Sequence, residues 1–123
     1  MIFLIQKYWL HITLMLLVSI ATLSLWPVAY LPDVPGTDKT HHFIAYAALM
    51  LPTALRQSKH WLIITFAFLA FSGAIELIQP YVNRYGEWLD MAANAFGLIC
   101  GFILAKILLF LASKVSALNS KKA

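Results

Sequence analysis

The chain has 123 residues, of which 62% are hydrophobic and only 11% charged, and its formal net charge is +4. A water-soluble domain of this size needs far more charge to cover its surface, so the composition excludes an ordinary soluble protein and makes the bilayer the expected solvent. The basic balance would suggest nucleic acid only in a soluble chain, and no nucleic-acid partner is expected here.

Four apolar runs use most of the length and leave no room for a separate soluble domain, so one all-α bundle of four transmembrane helices is expected. The first run, about residues 8–31, carries no acid or base except His11 near its start. It is too long for a signal-peptide core and is read as an uncleaved span. The second covers about 38–56 and is the weakest, with Pro52 inside it and polar residues at both ends. The third covers about 61–79 and the fourth about 88–110. Each is close to the roughly 20 residues that cross hydrocarbon. The single cysteine, Cys100, falls within the fourth run and reads as a small packing residue.

With four spans, Lys7, Arg56, Lys59, Lys114, Lys121 and Lys122 collect on one side with no acid, and Lys106 can snorkel the same way. The other side takes all five acids, Asp33, Asp38, Glu76, Glu87 and Asp90, with Lys39 and Arg84 as its only bases. Lysine and arginine excess marks the cytoplasmic face, so both termini are expected inside and the acidic loops outside. Trp9, Trp26, Tyr30, Trp61, Tyr81, Tyr85 and Trp88 fall near span ends, as an aromatic belt would.

The polar residues inside the spans carry the functional signal. At about 100° per residue, Asp38, His42 and Tyr46 share a helical face that Thr53 continues, with Lys39 flanking it and His41 on another side. Asp38 taken alone reads as a helix N-cap. In the third run, Glu76 lies about one turn inside the outer boundary, with Ser72 deeper and Gln79 at the rim. A lipid-facing carboxylate there would cost on the order of 2–3 kcal/mol, so Glu76 should face the interior and find a partner. The plainer reading pairs it with Lys39 or Arg84 to hold helices together. The fourth run places Asp90, Asn94, Gly97 and Gly101 on one face, and the Gly97-x-x-x-Gly101 spacing permits close helix approach. That face can serve a homodimer or bury the polar site, and both cannot use it fully.

Asp38-Lys39-x-x-His42-Phe43-x-x-Tyr46, Glu76-x-x-Gln79, Arg84 and Asp90-x-x-x-Asn94-x-x-Gly97-x-x-x-Gly101 together resemble the VanZ-like family of small bacterial membrane proteins, over residues 38–101. The family name comes from a glycopeptide-resistance protein associated with teicoplanin tolerance. The resemblance implies a multi-pass inner-membrane protein with an outward-facing polar site tied to the cell envelope, but it does not imply antibiotic resistance for this member.

The residues leave enzyme and binding module both open. As an enzyme acting on a lipid-linked envelope substrate, Lys39 and Arg84 would hold a phosphate or carboxylate. His42 would act as base or nucleophile oriented by Asp38 or Glu76, with Asp90 beside them and Asn94 donating to a developing oxyanion. Tyr46 and Gln79 would complete the substrate contacts. No serine, threonine or cysteine is clearly placed as nucleophile, Ser72 being the nearest, so an activated water fits better. As a binding module, the same pocket would capture a headgroup, lipid precursor or glycopeptide. His42, Glu76 and Asp90 could supply three metal ligands, yet HExxH-type spacing is absent, so neither metal nor cofactor is expected. The remaining alternative is a scaffold whose polar cluster is an interhelical structural network.

Overall fold

The computed structural model describes residues 1–31 and 35–122, and the side chains of Val28 and Lys122 fall outside that description. Asp33, assigned above to an acidic loop, lies outside the described residues. Among these residues the chain is entirely helical: α1 (Ile2–Leu25), α2 (Asp38–Leu55), α3 (Trp61–Ile78) and α4 (Trp88–Lys122). Short turns of 3-10 helix at Val28–Tyr30 and Gln79–Val82 follow α1 and α3.

The helices alternate in direction, as cross-links between their ends demonstrate. Gln6 Nε2 donates to the Leu55 carbonyl at 2.8 Å, joining the start of α1 to the end of α2. Gln79 Nε2 donates to the Ser24 carbonyl at 3.1 Å, joining the ends of α1 and α3. Lys39 reaches Glu87 and Asp90, joining the starts of α2 and α4. Residues 24–31, 35–42 and 76–94 therefore share one end of the bundle.

Three helices, α1, α3 with its 3-10 turn, and α4, are long and apolar enough to cross a membrane. The second expected span forms a full helix, α2, but its early Asp38, Lys39, His41 and His42 keep it outside that group. Its polar side chains turn inward instead: His42, Tyr46 and Thr53 are buried, while Ile44 faces outward. α2 packs against each of the other three helices, with α4 its principal neighbour.

Several boundaries differ from the hydropathy reading. α1 begins at Ile2, and Tyr8 (φ −104°, ψ 16°) marks a kink where the first span was expected to open. It ends at Leu25, because Pro27 cannot continue the hydrogen-bond ladder. α4 runs past Phe110 to Lys122, since Leu111-Ala-Ser-Lys-Val-Ser-Ala-Leu contains neither glycine nor proline to stop it. At 1.5 Å per residue its 35 residues extend about 52 Å, well beyond a hydrocarbon core. Pro52 is tolerated near the end of α2, which closes three residues later at Leu55 and is followed by a left-handed Gln57 (φ 56°). The N-cap of α2 is Thr37, whose Oγ1 accepts from Thr40 N at 3.2 Å, so Asp38 is the first helical residue rather than the cap. Cys100 is exposed on the outside of α4, correcting its expected packing role.

The glycine face of α4 lies directly against α2 of the same chain. A Cβ at Gly97 would collide with the Phe43 carbonyl oxygen and meet Ala47 N at 3.0 Å. One turn on, a Cβ at Gly101 would collide with the Ala47 carbonyl oxygen. A second copy would have to displace α2 to use this surface. Backbone contact at these glycines draws the two helices together and sets the height at which Asp90 and Asn94 meet His42.

Candidate functional site

The start of α2, the end of α3 and the start of α4 converge on a polar group at one end of the bundle. Asp90, Asn94, Ser72 and Gln79 are at most 2% exposed, Glu76 is 7% and His42 9%. Burial of this kind requires partners, and nearly every group has one.

Asn94 is the hub. Its Nδ2 donates to Ser72 Oγ at 2.7 Å, which turns Oδ1 toward His42 Nδ1 at 3.1 Å. With Asn94 Oδ1 accepting, His42 Nδ1 carries a proton and Nε2 is turned to the opposite side. There Nε2 faces Asp90 Oδ2 at 3.6 Å and Asp38 Oδ2 at 3.9 Å. Asp38 is the outer wall of the group, with its side chain 60% exposed. Tyr46 is buried one turn below His42, near Ser72 and Glu76.

Lys39 sits over this group. Its Nζ reaches Glu87 Oε2 at 2.6 Å and Asp90 Oδ1 at 3.0 Å. Asp90 thus divides its oxygens, one to the ammonium and one toward the imidazole. Glu87 is a site residue absent from the sequence-derived set. Its position three residues before Asp90 would have supported it, because that spacing puts both carboxylates on one side of the α4 entry.

Glu76 takes a different partner from either expected. Its Oε2 accepts from the Glu87 backbone N–H at 2.8 Å, and neither Lys39 nor Arg84 is its hydrogen-bond partner. Gly86 makes this contact practicable, for a Cβ there would collide with the Glu76 carbonyl oxygen. Glu76 Oε1 and Gln79 Oε1 are buried without a hydrogen-bond partner.

Two of the expected ligand contacts point elsewhere. Arg84 Nη1 donates to the Trp26 carbonyl at 3.1 Å, and Gln79 binds Ser24 through its amide nitrogen. The structure thus brings together Asp38, Lys39, His42, Tyr46, Glu76, Asp90 and Asn94, while Gln79 and Arg84 tie the α3 exit to the end of α1. His41 turns away and donates through Nε2 to the Pro35 carbonyl at 3.0 Å. Ser72 Oγ is fully buried and already hydrogen-bonded to Asn94, so it is poorly placed as a nucleophile.

Chemically, the arrangement offers an imidazole of fixed tautomer, its basic nitrogen flanked by two carboxylates, with a lysine ammonium at the rim. Such a group can accept a proton from a bound water or hydroxyl, or bind a ligand rich in hydrogen-bond donors.

A profile of the VanZ/LLP1 family matches residues 2–110. No curated protein and no solved structure matches the chain.

Proposed function

The chain belongs to the VanZ/LLP1 family, and from that premise we propose that its polar end acts on or binds a cell-envelope lipid or glycopeptide-related ligand, with His42 as the working group. The observation carrying this reading is the orientation of His42: Asn94 fixes its Nδ1, and Nε2 opens between Asp38 and Asp90. A residue that only held helices together would have no need to aim its second ring nitrogen past Asp90 toward the exposed Asp38. Water is the nucleophile that fits, because Ser72 is already engaged. The excess of bases toward the opposite end, Lys7, Arg56, Lys59, Lys114 and Lys121, supports reading that end as cytoplasmic. The protein is then a multi-pass protein of the bacterial inner membrane, with α2 as its fourth span and its polar group facing outward.

The test compares His42→Asn and Glu76→Gln with the wild type in cells, scoring protein level in the membrane beside sensitivity to envelope antibiotics and lipid labelling. Normal accumulation with loss of the phenotype is the expected result, and Arg84→Gln should keep it. Disappearance of both variants from the membrane would favour a second reading, a structural network without a ligand. That reading draws on the bonds from Asn94 to Ser72, Gln79 to Ser24 and Glu76 to the Glu87 amide, which link α1, α3 and α4, and on the bond from His42 to Asn94, which adds α2.

A further inference from the structure

Asp38, His42 and Asp90 each offer one ligand atom, and these atoms lie within 4.8 Å of one another. The two carboxylates are acceptors, and because Asn94 accepts the Nδ1 proton of His42, Nε2 is the nitrogen that the neutral ring can offer to a metal. Lys39 is bound to the far oxygen of Asp90, leaving Oδ2 turned toward the imidazole. Positive charge is favoured between these groups, supplied either by a second proton on Nε2 or by a bound cation.

The surrounding charge points the same way. Lys39 pairs with Glu87 and Asp90, while Asp38 and Glu76 stand nearby without an ammonium partner of their own among the described residues. Glu76, itself 7% exposed, has among its charged neighbours Asp90, His42 and Asp38, and its Oε1 is buried without a hydrogen-bond partner. The buried pair, Glu76 and Asp90, is costly to keep charged in a bilayer, and a divalent cation beside Asp90 offsets that charge directly.

We propose that Asp38, His42 and Asp90 form a binding site for a first-row divalent cation of the Zn²⁺ type. The proposal rests on the reading that His42 is the centre of a working site. One imidazole nitrogen and two carboxylate oxygens suit zinc or manganese, whereas magnesium and calcium prefer oxygen alone. Ligands about 2.1 Å from a tetrahedral zinc are about 3.4 Å apart, and the 3.6 and 3.9 Å separations from Nε2 are only slightly wider. Asn94 is the outer partner that such a ligand histidine requires, since its carbonyl fixes both the tautomer and the plane of the ring. Three protein ligands leave a coordination position for water or for an oxygen of an envelope ligand. The HExxH spacing sought in the sequence is missing because the ligands come from two helices: Asp38 and His42 lie one turn apart on α2, and Asp90 comes from α4.

The test uses the tag-free full chain in detergent, stripped with EDTA and titrated with Zn²⁺ by calorimetry, with Co²⁺ visible absorption as a second readout. The expected result is one ion per chain. Asp38→Asn and His42→Gln should each weaken binding at least ~10–100-fold, the loss seen even when only a ligand's outer partner is removed. Asp38 is exposed, so its variant does not endanger the fold. His41→Gln, which alters the imidazole turned toward Pro35, should bind as the wild type does. Absence of zinc uptake by the wild type, or equal uptake by Asp38→Asn, would overturn the proposal. If the wild type takes no zinc while His42→Asn still loses its envelope phenotype, the ion is refuted and the polar-site reading stands. Zinc uptake with an unaltered His42→Asn phenotype keeps the ion and removes the reading.

Discussion

Consider replacing Gly97 with alanine. In an isolated helix this change is favourable by about 1 kcal/mol, because glycine is the more costly helical residue. Here the added methyl would run into the Phe43 carbonyl oxygen and stand 3.0 Å from Ala47 N. Both are backbone atoms of α2, so no rotamer change relieves the contact and α4 must move away as a body. Overpacking of this kind costs typically 1–3 kcal/mol, and an unyielding neighbour puts the cost toward the upper end. The net expectation is a loss of about 2 kcal/mol, or roughly 8 °C in melting temperature at about 4 °C per kcal/mol for a chain this size. Gly73→Ala supplies the contrast: on α3 its Cβ would meet only Met91 Cε, at a comfortable 3.7 Å. That variant should melt at or slightly above the wild type, by about 0.4–1 kcal/mol. Thermal melts of the three proteins in one detergent decide the matter. A Gly97→Ala protein as stable as Gly73→Ala would refute the backbone contact between α2 and α4, and with it the account of how Asn94 reaches His42.

Other outcomes follow from the polar end. Asn94→Leu removes a donor to Ser72 and an acceptor for His42, and should destabilise by about 1–3 kcal/mol. Ser72→Ala, which removes a single interhelical bond, should cost nearer ~0.6 kcal/mol, and both are measured by the same melts. Lys39→Met should lower stability more than Glu87→Gln, because Asp90 is 2% exposed and loses its cation, whereas Glu87 is half exposed. Equal effects would show that Lys39 serves only the rim. In a Cys100→Ser background, Tyr85→Cys should react with a membrane-impermeant maleimide added to intact cells, and a cysteine replacing Lys59 should not; the reverse pattern inverts the assigned orientation.

Much of the site was legible because polar residues are expensive in an apolar chain. Asp38 and His42 one turn apart, Glu76 near the end of its run and Asp90 four residues before Asn94 each required an interior partner, and each faces the same end. What sequence spacing could not supply was the choice of partner. Lys39 and Arg84 looked equivalent as free cations, yet Lys39 bonds Asp90 directly across the α2–α4 contact, while Arg84 lies beyond the left-handed Asn83 and is turned toward Trp26. Backbone groups are invisible to a side-chain pattern, which is why the Glu87 amide, the Ser24 carbonyl and the Trp26 carbonyl were missed as partners. The helix ends of α1 and α4 differ from the expected span limits for a related reason: hydropathy measures where the bilayer is comfortable, whereas helix continuation depends on the absence of glycine and proline.

The inward-facing polarity of α2 has a consequence for how the chain is made. Synthesis delivers α2 before α3 and α4, and α2 is the helix least able to enter lipid by itself. Its carboxylate, ammonium and imidazole acquire their counterparts only when Glu87, Asp90 and Asn94 leave the ribosome, some 50 residues after His42. Until then the translocon or the membrane surface must hold α2. A chain arrested before residue 88 should therefore leave α2 accessible to proteases that the finished protein resists, and the glycines of α4 act as the latch that ends the wait.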